Sequence, residues 1–168
     1  MDHSSDYWKQ HLQLIHHVEG GWYSEVYKSA LTIAASHLPA EFKGDRAACT
    51  HIYFLLEQGE FSAFHRIQSD ELWHFYNGDP IVIYEIESDG SLIKHYLGNN
   101  LEQGQSLFCV VKAGNWFASE VMDNGSFGLV GCTVSPGFDF SGFELAKKKE
   151  LSDIFPMHKA LIHRLTRQ

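Results

Sequence analysis

Hydrophobic residues recur along this chain with two different periods, and the change of period divides it into three stretches. At the start, Trp8, Leu12 and Ile15 follow helical spacing behind Ser4 or Ser5, either of which can cap the first turn. Gly20 and Gly21 in "EGGW" then end the helix. From there the texture changes to short β-branched and aromatic runs separated by Gly, Asn, Asp and Pro, which is the pattern of strands and turns. It predicts nine strands, at 22–28, 50–56, 60–67, 71–77, 80–86, 92–97, 106–112, 115–121 and 127–134. Turns such as "NGDP", "SDGS" and "MDNGS" join them. Residues 36–48 lack a clear period and read as a loop or arm, and after "SPGFDFSGFELA" the helical period returns in "KKKELSDIF" and, behind Pro156, in "MHKALIHRLT". This rhythm describes a mainly β sandwich, jelly roll or small barrel with an N-terminal helix and C-terminal helices packed outside it. No linker, repeat or low-complexity segment interrupts residues 1–168, so a single domain is expected.

Composition narrows the function classes. A chain of 168 residues can bury a sizeable core without disulfides or metals. Its 21 acidic residues against 13 basic ones leave no positive stripe for a phosphate backbone, which argues against a nucleic-acid partner. The first residues lack the basic start and unbroken apolar run of a signal peptide, and no later run approaches a membrane span, so a cytoplasmic location and no membrane partner are expected. Cys49, Cys109 and Cys132 are odd in number and form no C-x-x-C pair, as structural reduced thiols would.

The chemistry concentrates in "FHRIQSDELWHFYNG", residues 64–78. Strand alternation puts Phe61, Ala63, His65 and Ile67 on one face of the first run and Glu71, Trp73 and Phe75 on one face of the second. If the two runs pair through "QSD", His65 and Glu71 approach each other on the inner side. His74 falls on the opposite face unless a bulge near Asp70 shifts the register. Phe61, Trp73, Phe75, Trp116 and Phe117 would be the aromatic surroundings, with Trp73 and Trp116 as ligand contacts and Phe61 and Phe75 as core. Arg46 and Thr50 precede an apolar run, where Arg46 could bind an anionic group. Glu19 precedes two glycines that permit close backbone approach; solvated, it would be no more than the end of a helix.

The spacing resembles the first cupin motif, G-x5-H-x-H-x3-4-E-x6-G. Gly59, His65, Glu71 and Gly78 fall in place, and Ile67 stands where the second histidine belongs. The second motif, G-x5-P-x-G-x2-H-x3-N, is matched by Gly114, while Lys112 replaces the proline, Phe117 the histidine and Val121 the asparagine. The segments "HVEGGWYSEVYKS", "THIYFLLE", "KAGNWFASEV", "LVGCTVSPGFDFSGFEL" and "FPMHKALIHRLT" narrow the resemblance to the short stand-alone cupins of a domain-of-unknown-function group, the Cupin 5 type. Those carry "HPEGG" where this chain has "HVEGG", and arginine where it has Lys28. The resemblance implies a double-stranded β-helix, or jelly-roll barrel, usually dimeric and similar in fold to sugar-nucleotide epimerases and seed storage proteins. It also implies that "EGGWY" shapes the pocket mouth or a subunit contact. It names no agreed activity.

Three readings follow. In the first, a small polar ligand, sugar-like or carboxylate-bearing, enters the barrel and is isomerised, epimerised or cleaved without metal. His65 is the base, Glu71 orients it, and Tyr53 or Tyr84 returns a proton. In the second, the protein is a non-catalytic binding or storage-like cupin homodimer. In the third, a divalent metal is held by His65 and Glu71, with His51 or His74 in place of a missing ligand. With hydrocarbons at two of the four usual ligand positions, no cofactor is expected.

Overall fold

The computed structural model describes residues 3–122 and 124–167, so Asp123 of the predicted turn 122–126 lies outside the described residues. In chain order the elements are α1 (Ser5–His11), β1 (Ile15–His16), β2 (Trp22–Lys28), β3 (Thr32–Ile33), β4 (Arg46–Ala47), β5 (Thr50–Glu57), β6 (Phe61–Arg66) and β7 (Asp70–Gly78). There follow β8 (Ile81–Ile86), β9 (Leu92–Leu97), β10 (Phe108–Val111), β11 (Trp116–Val121), β12 (Phe127–Ser135), β13 (Glu144–Leu145), α2 (Lys148–Ile154) and α3 (Lys159–Arg164). Each of the nine predicted strands is present, as β2 and β5 to β12. Four two-residue strands, β1, β3, β4 and β13, are too short to carry an alternation the sequence could show.

Two antiparallel sheets face each other, one ordered β1-β2-β5-β12-β7-β10 and the other β13-β6-β11-β8-β9. The alternation in β5 shows why. Thr50, Ile52, Phe54 and Leu56 point between the sheets, where Phe54 and Leu56 join Trp73, Ile81, Ile83, Leu97, Phe117 and Val130 in one buried cluster. The other face of β5 turns Leu55 toward Leu14, Phe127 and Leu129, with Trp8 and Leu12 of the N-terminal segment packed on top. On the outside of the five-stranded sheet, Phe64, Ile86, Trp116 and Ala118 pack beneath Leu151 and Phe155 of the α2 segment and Ile162 and Leu165 of the α3 segment. The C-terminal helices therefore cover the outer face of that sheet, as their amphipathic period requires.

Two expectations change. The first helix ends at His11 rather than at the glycines. Gln13 adopts a positive φ, Leu14 turns into the core, and Ile15 pairs with Tyr23 as part of a β1–β2 hairpin that Gly20 and Gly21 close. The runs at 61–66 and 70–78 do not pair with each other either. β6 bonds to β11 and β13, β7 bonds to β10 and β12, and "IQS" crosses from one sheet to the other. The arm at 36–48 contributes Arg46 and Ala47 to a small β3–β4 ribbon.

Candidate functional site

The glycine pair places the first site residue. Glu19 accepts at its backbone carbonyl from Ala63 N–H at 2.8 Å. Gly20 sits at φ +111°, so tight against Phe61 that a Cβ there would overlap the Phe61 carbonyl oxygen. Only glycine gives both the conformation and the approach. The Glu19 side chain is thereby driven inward between the sheets, where Ser62 Oγ donates to its Oε1 at 2.9 Å.

A bulge in β6 brings Ser62 and His65 to the same side. Phe117 of β11 pairs with His65, but Ser119 pairs with Ser62, leaving one extra residue in β6. Phe61 consequently turns outward to the cluster under α3, contrary to the simple alternation, and His65 faces Glu19. His65 Nδ1 is 2.8 Å from the Ala63 carbonyl, which can only accept. Nδ1 therefore carries the hydrogen, and Nε2 is the basic nitrogen, 3.2 Å from Glu19 Oε2. The same oxygen is 3.3 Å from Nδ1 of His17.

Burial lowers the proton affinity of His65 more than Glu19 and the Ala63 carbonyl raise it, so the imidazole is neutral near pH 7. Burial also pushes Glu19 up, but the attraction of the His65 ring when it carries a proton, together with hydrogen bonds from His17 and Ser62, outweighs that and holds the carboxyl below the usual carboxylate range. Glu71 stands on the opposite sheet in a drier place. Burial and the nearby Glu19 charge push its carboxyl up to about 8, with the Cys132 thiol only partly offsetting them. The site thus holds one ionised carboxylate, one neutral imidazole and one protonated carboxylic acid at neutral pH.

These groups share a cavity of about 230 Å³ with Thr50, Ile52, Ile67, Cys132 and Val134 on its walls. Tyr23 and Glu25 of β2 lie toward its mouth, with Phe138, Phe140 and Phe143 from the loop after β12. The three phenyl rings meet edge to face, at centroid distances of 5.0, 5.9 and 6.1 Å. Phe138 is tied down by its N–H, which donates to Thr50 Oγ1 at 2.9 Å.

Of the expected residues, Glu19, Thr50, His65 and Glu71 come together here. The expected pairing is different: His65 meets Glu19, with Glu71 across the cavity. Trp73 is not a ligand contact but core, packed edge to face on Phe54 and Phe117. Trp116 is on the outer face beneath the C-terminal helices, with the Arg66 guanidinium over its ring. Arg46 is away from the cavity. Its guanidinium donates to the carbonyls of Lys43, Gly44 and Asp45 and to Ser141 and Gln68, so it fastens the arm.

His74 lies on the outer face of the six-stranded sheet, linked through Thr133 to His51, whose Nε2 is 3.1 Å from Tyr76 Oη. Tyr53 is beside them. Tyr84 is on the outside of the other sheet and donates to Glu120. Neither tyrosine reaches the cavity.

His17, Tyr23, Glu25, Cys132 and the three phenylalanines join the site without standing in any motif of the sequence. Their signal was three aromatics within a loop otherwise made of Ser, Gly, Asp and Pro, and a histidine two residues before Glu19.

A metal of the usual cupin kind does not fit these residues. Among the described residues no three His, Cys, Asp or Glu side chains are arranged to hold one. At the substituted positions, the Phe117 ring lies 4.0 Å from that of His65, and Ile67 lines the adjacent wall. Hydrocarbon occupies the space where further ligands would approach.

Several solved structures share the architecture. A hypothetical protein from Leishmania major is 32% identical, with a TM-score of 0.90 over 99% of this chain and 100% of that one. A protein from Shewanella oneidensis is 39% identical, with a TM-score of 0.88 over 98% of each chain. Oxalate decarboxylase from Bacillus subtilis, at 12% identity and a TM-score of 0.54 over 89% of this chain and 36% of that one, shares the fold alone. No curated protein matches the chain. Residues 6–146 match the family described as Cupin superfamily (DUF985), and with the two-sheet jelly roll and the His65–Glu71 spacing now in place, the chain belongs to that family.

Proposed function

We propose that the protein binds a small polar ligand in the cavity between its sheets and moves a proton on it, with His65 as base and Glu71 as acid. The observation that supports this is one cavity holding two carboxyl groups whose surroundings drive them in opposite directions, with a neutral imidazole beside the ionised one. His65 Nε2 accepts a proton from the ligand, and Glu19 stabilises the imidazolium that forms. Glu71, on the facing sheet, donates a proton to the other side, so one face of the ligand loses hydrogen while the other gains it. That division suits an isomerase, an epimerase or a lyase acting next to a carbonyl.

Incubation in deuterium oxide with a panel of keto-sugars, amino-sugars and amino-ketones, followed by mass spectrometry, tests the reading. Deuterium enters the ligand with the native protein and is slowed about a hundredfold or more by His65→Asn and by Glu71→Gln. The rate at low substrate falls as pH drops through the depressed value of His65, which must be neutral. It falls again above about 8, where Glu71 loses its proton. Full exchange in both variants would remove the pair. A ligand that binds and is never labelled would leave a binding protein.

A further inference from the structure

The charge and hydrogen-bonding character of the cavity are one-sided. Glu19, Glu25 and Glu71 line it together with His17, His65 and four aromatic rings, and neither lysine nor arginine is among its lining residues. The nearby arginines are engaged elsewhere, Arg46 on the arm and Ser141 and Arg66 on Glu144 and the Trp116 ring, while Lys28 lies outside the lining and acts on Asp139.

The floor carries more acceptors than hydrogens. His65 spends its Nδ1 hydrogen on the Ala63 carbonyl, which leaves its Nε2 lone pair 3.2 Å from Glu19 Oε2. His17 Nδ1 donates to the same oxygen at 3.3 Å. Glu71 is only 8% exposed, and the side-chain donor to its carboxyl is the weak S–H of Cys132. Glu25, at the exposed end, makes no ion pair among the described residues.

Acceptors that outnumber donors, acidic side chains without a lysine or arginine partner and aromatic faces without a cation describe the complement of an ammonium group, which has three hydrogens to donate and no acceptor. Resting on the cavity being the binding site proposed above, we infer that its ligands are small organic cations, primary amines in particular, and not carboxylates or phosphates. Glu25 and the Phe138, Phe140 and Phe143 rings meet the cation at the mouth, and the acceptors of the floor take its hydrogens. An anion entering the same space meets the Glu19 charge, the acidic Glu25 at the mouth and neither lysine nor arginine among the lining residues.

Calorimetric titration of the full chain at pH 7.5 with benzylamine, benzyl alcohol and benzoate tests this, because the three differ in charge at nearly constant shape. Benzylamine is expected to bind at least about tenfold more tightly than benzyl alcohol, with benzoate weakest. Glu25→Gln and Phe140→Ala are each expected to weaken benzylamine about three- to tenfold, while Glu25→Gln leaves benzyl alcohol unchanged. Benzoate or benzyl alcohol binding as tightly as benzylamine, no binding of benzylamine, or indifference to both substitutions would overturn the inference.

The two proposals fail separately. If the native protein exchanges no deuterium into any member of the panel while benzylamine binding persists, the proton-transfer reading fails alone. If exchange occurs on neutral or acidic ligands only, the cation inference fails alone.

Discussion

His65 and Glu71 occupy equivalent-looking positions in a motif, yet their surroundings give them opposite tasks. His65 has its tautomer set by one backbone carbonyl and its proton affinity tuned by Glu19. Glu71 has no comparable partner and stays protonated. That difference has a measurable consequence for stability. The folded protein holds the Glu71 proton up to about 8, whereas an ordinary glutamate releases it near 4.5, so between these values the folded state binds the extra proton. Stability attributable to this residue is fully present below about 4.5 and is lost as pH rises from there to about 8. Glu71→Gln, which keeps the shape and cannot ionise, is expected to match the native protein near pH 5 and to exceed it by roughly 1–3 kcal/mol near pH 9 in urea denaturation. Equal stability of the two proteins at both pH values would show that Glu71 ionises freely.

At the scale of elements, the β1–β2 hairpin and β6 are fitted to each other through the glycine pair and the bulge. Gly20 bears the closest approach, with a positive φ and the Phe61 carbonyl where a Cβ would go. Gly20→Ala is expected to cost about 2 kcal/mol or more, since neither the conformation nor the backbone neighbour can give way cheaply. Its effect on benzylamine affinity should exceed that of a change elsewhere with equal cost, because Glu19 moves with the hairpin. Chemical denaturation and the same titration read both quantities, and a cost below about 0.5 kcal/mol would mean the hairpin relaxes freely.

Much of this element-level structure was legible beforehand: the nine longer strands alternate strongly enough to be located within a residue or two. The face of Phe61 was not, because a bulge inverts alternation without leaving a mark in composition. Whether β6 pairs with β7 was open for a related reason. A three-residue connection is what a hairpin uses, but it also suffices to cross between facing sheets.

At the scale of the molecule, the two sheets enclose a lumen that core residues fill at one end and the cavity occupies at the other, while α2 and α3 seal the outside of the five-stranded sheet. Among the described residues, no helix is long and apolar enough to cross a membrane. Leu151, 1% exposed between helix and sheet, tests whether this outer layer is part of the folding unit. Leu151→Ala is expected to cost about 2–4 kcal/mol in a single cooperative transition. A separate early transition for the helices, seen by circular dichroism but not by tryptophan fluorescence, would make them an appendage.

The amino-acid sequence by itself determined the family, the strand content and the positions of His65 and Glu71, since all three rest on local period and spacing that neighbouring residues enforce. It also pointed to the loss of ligands at Ile67 and Phe117. Only the tertiary structure decided which residues meet. Glu19 reaches His65 from the far side of a hairpin, three phenylalanines close the mouth from a loop more than seventy residues beyond His65, and Trp73, Trp116 and Arg46 are directed to packing and fastening instead. The reason is physical. Period fixes which way a strand's side chains alternate, whereas bulges, sheet crossings and glycine contacts fix which faces look at one another, and those depend on partners distant in the chain.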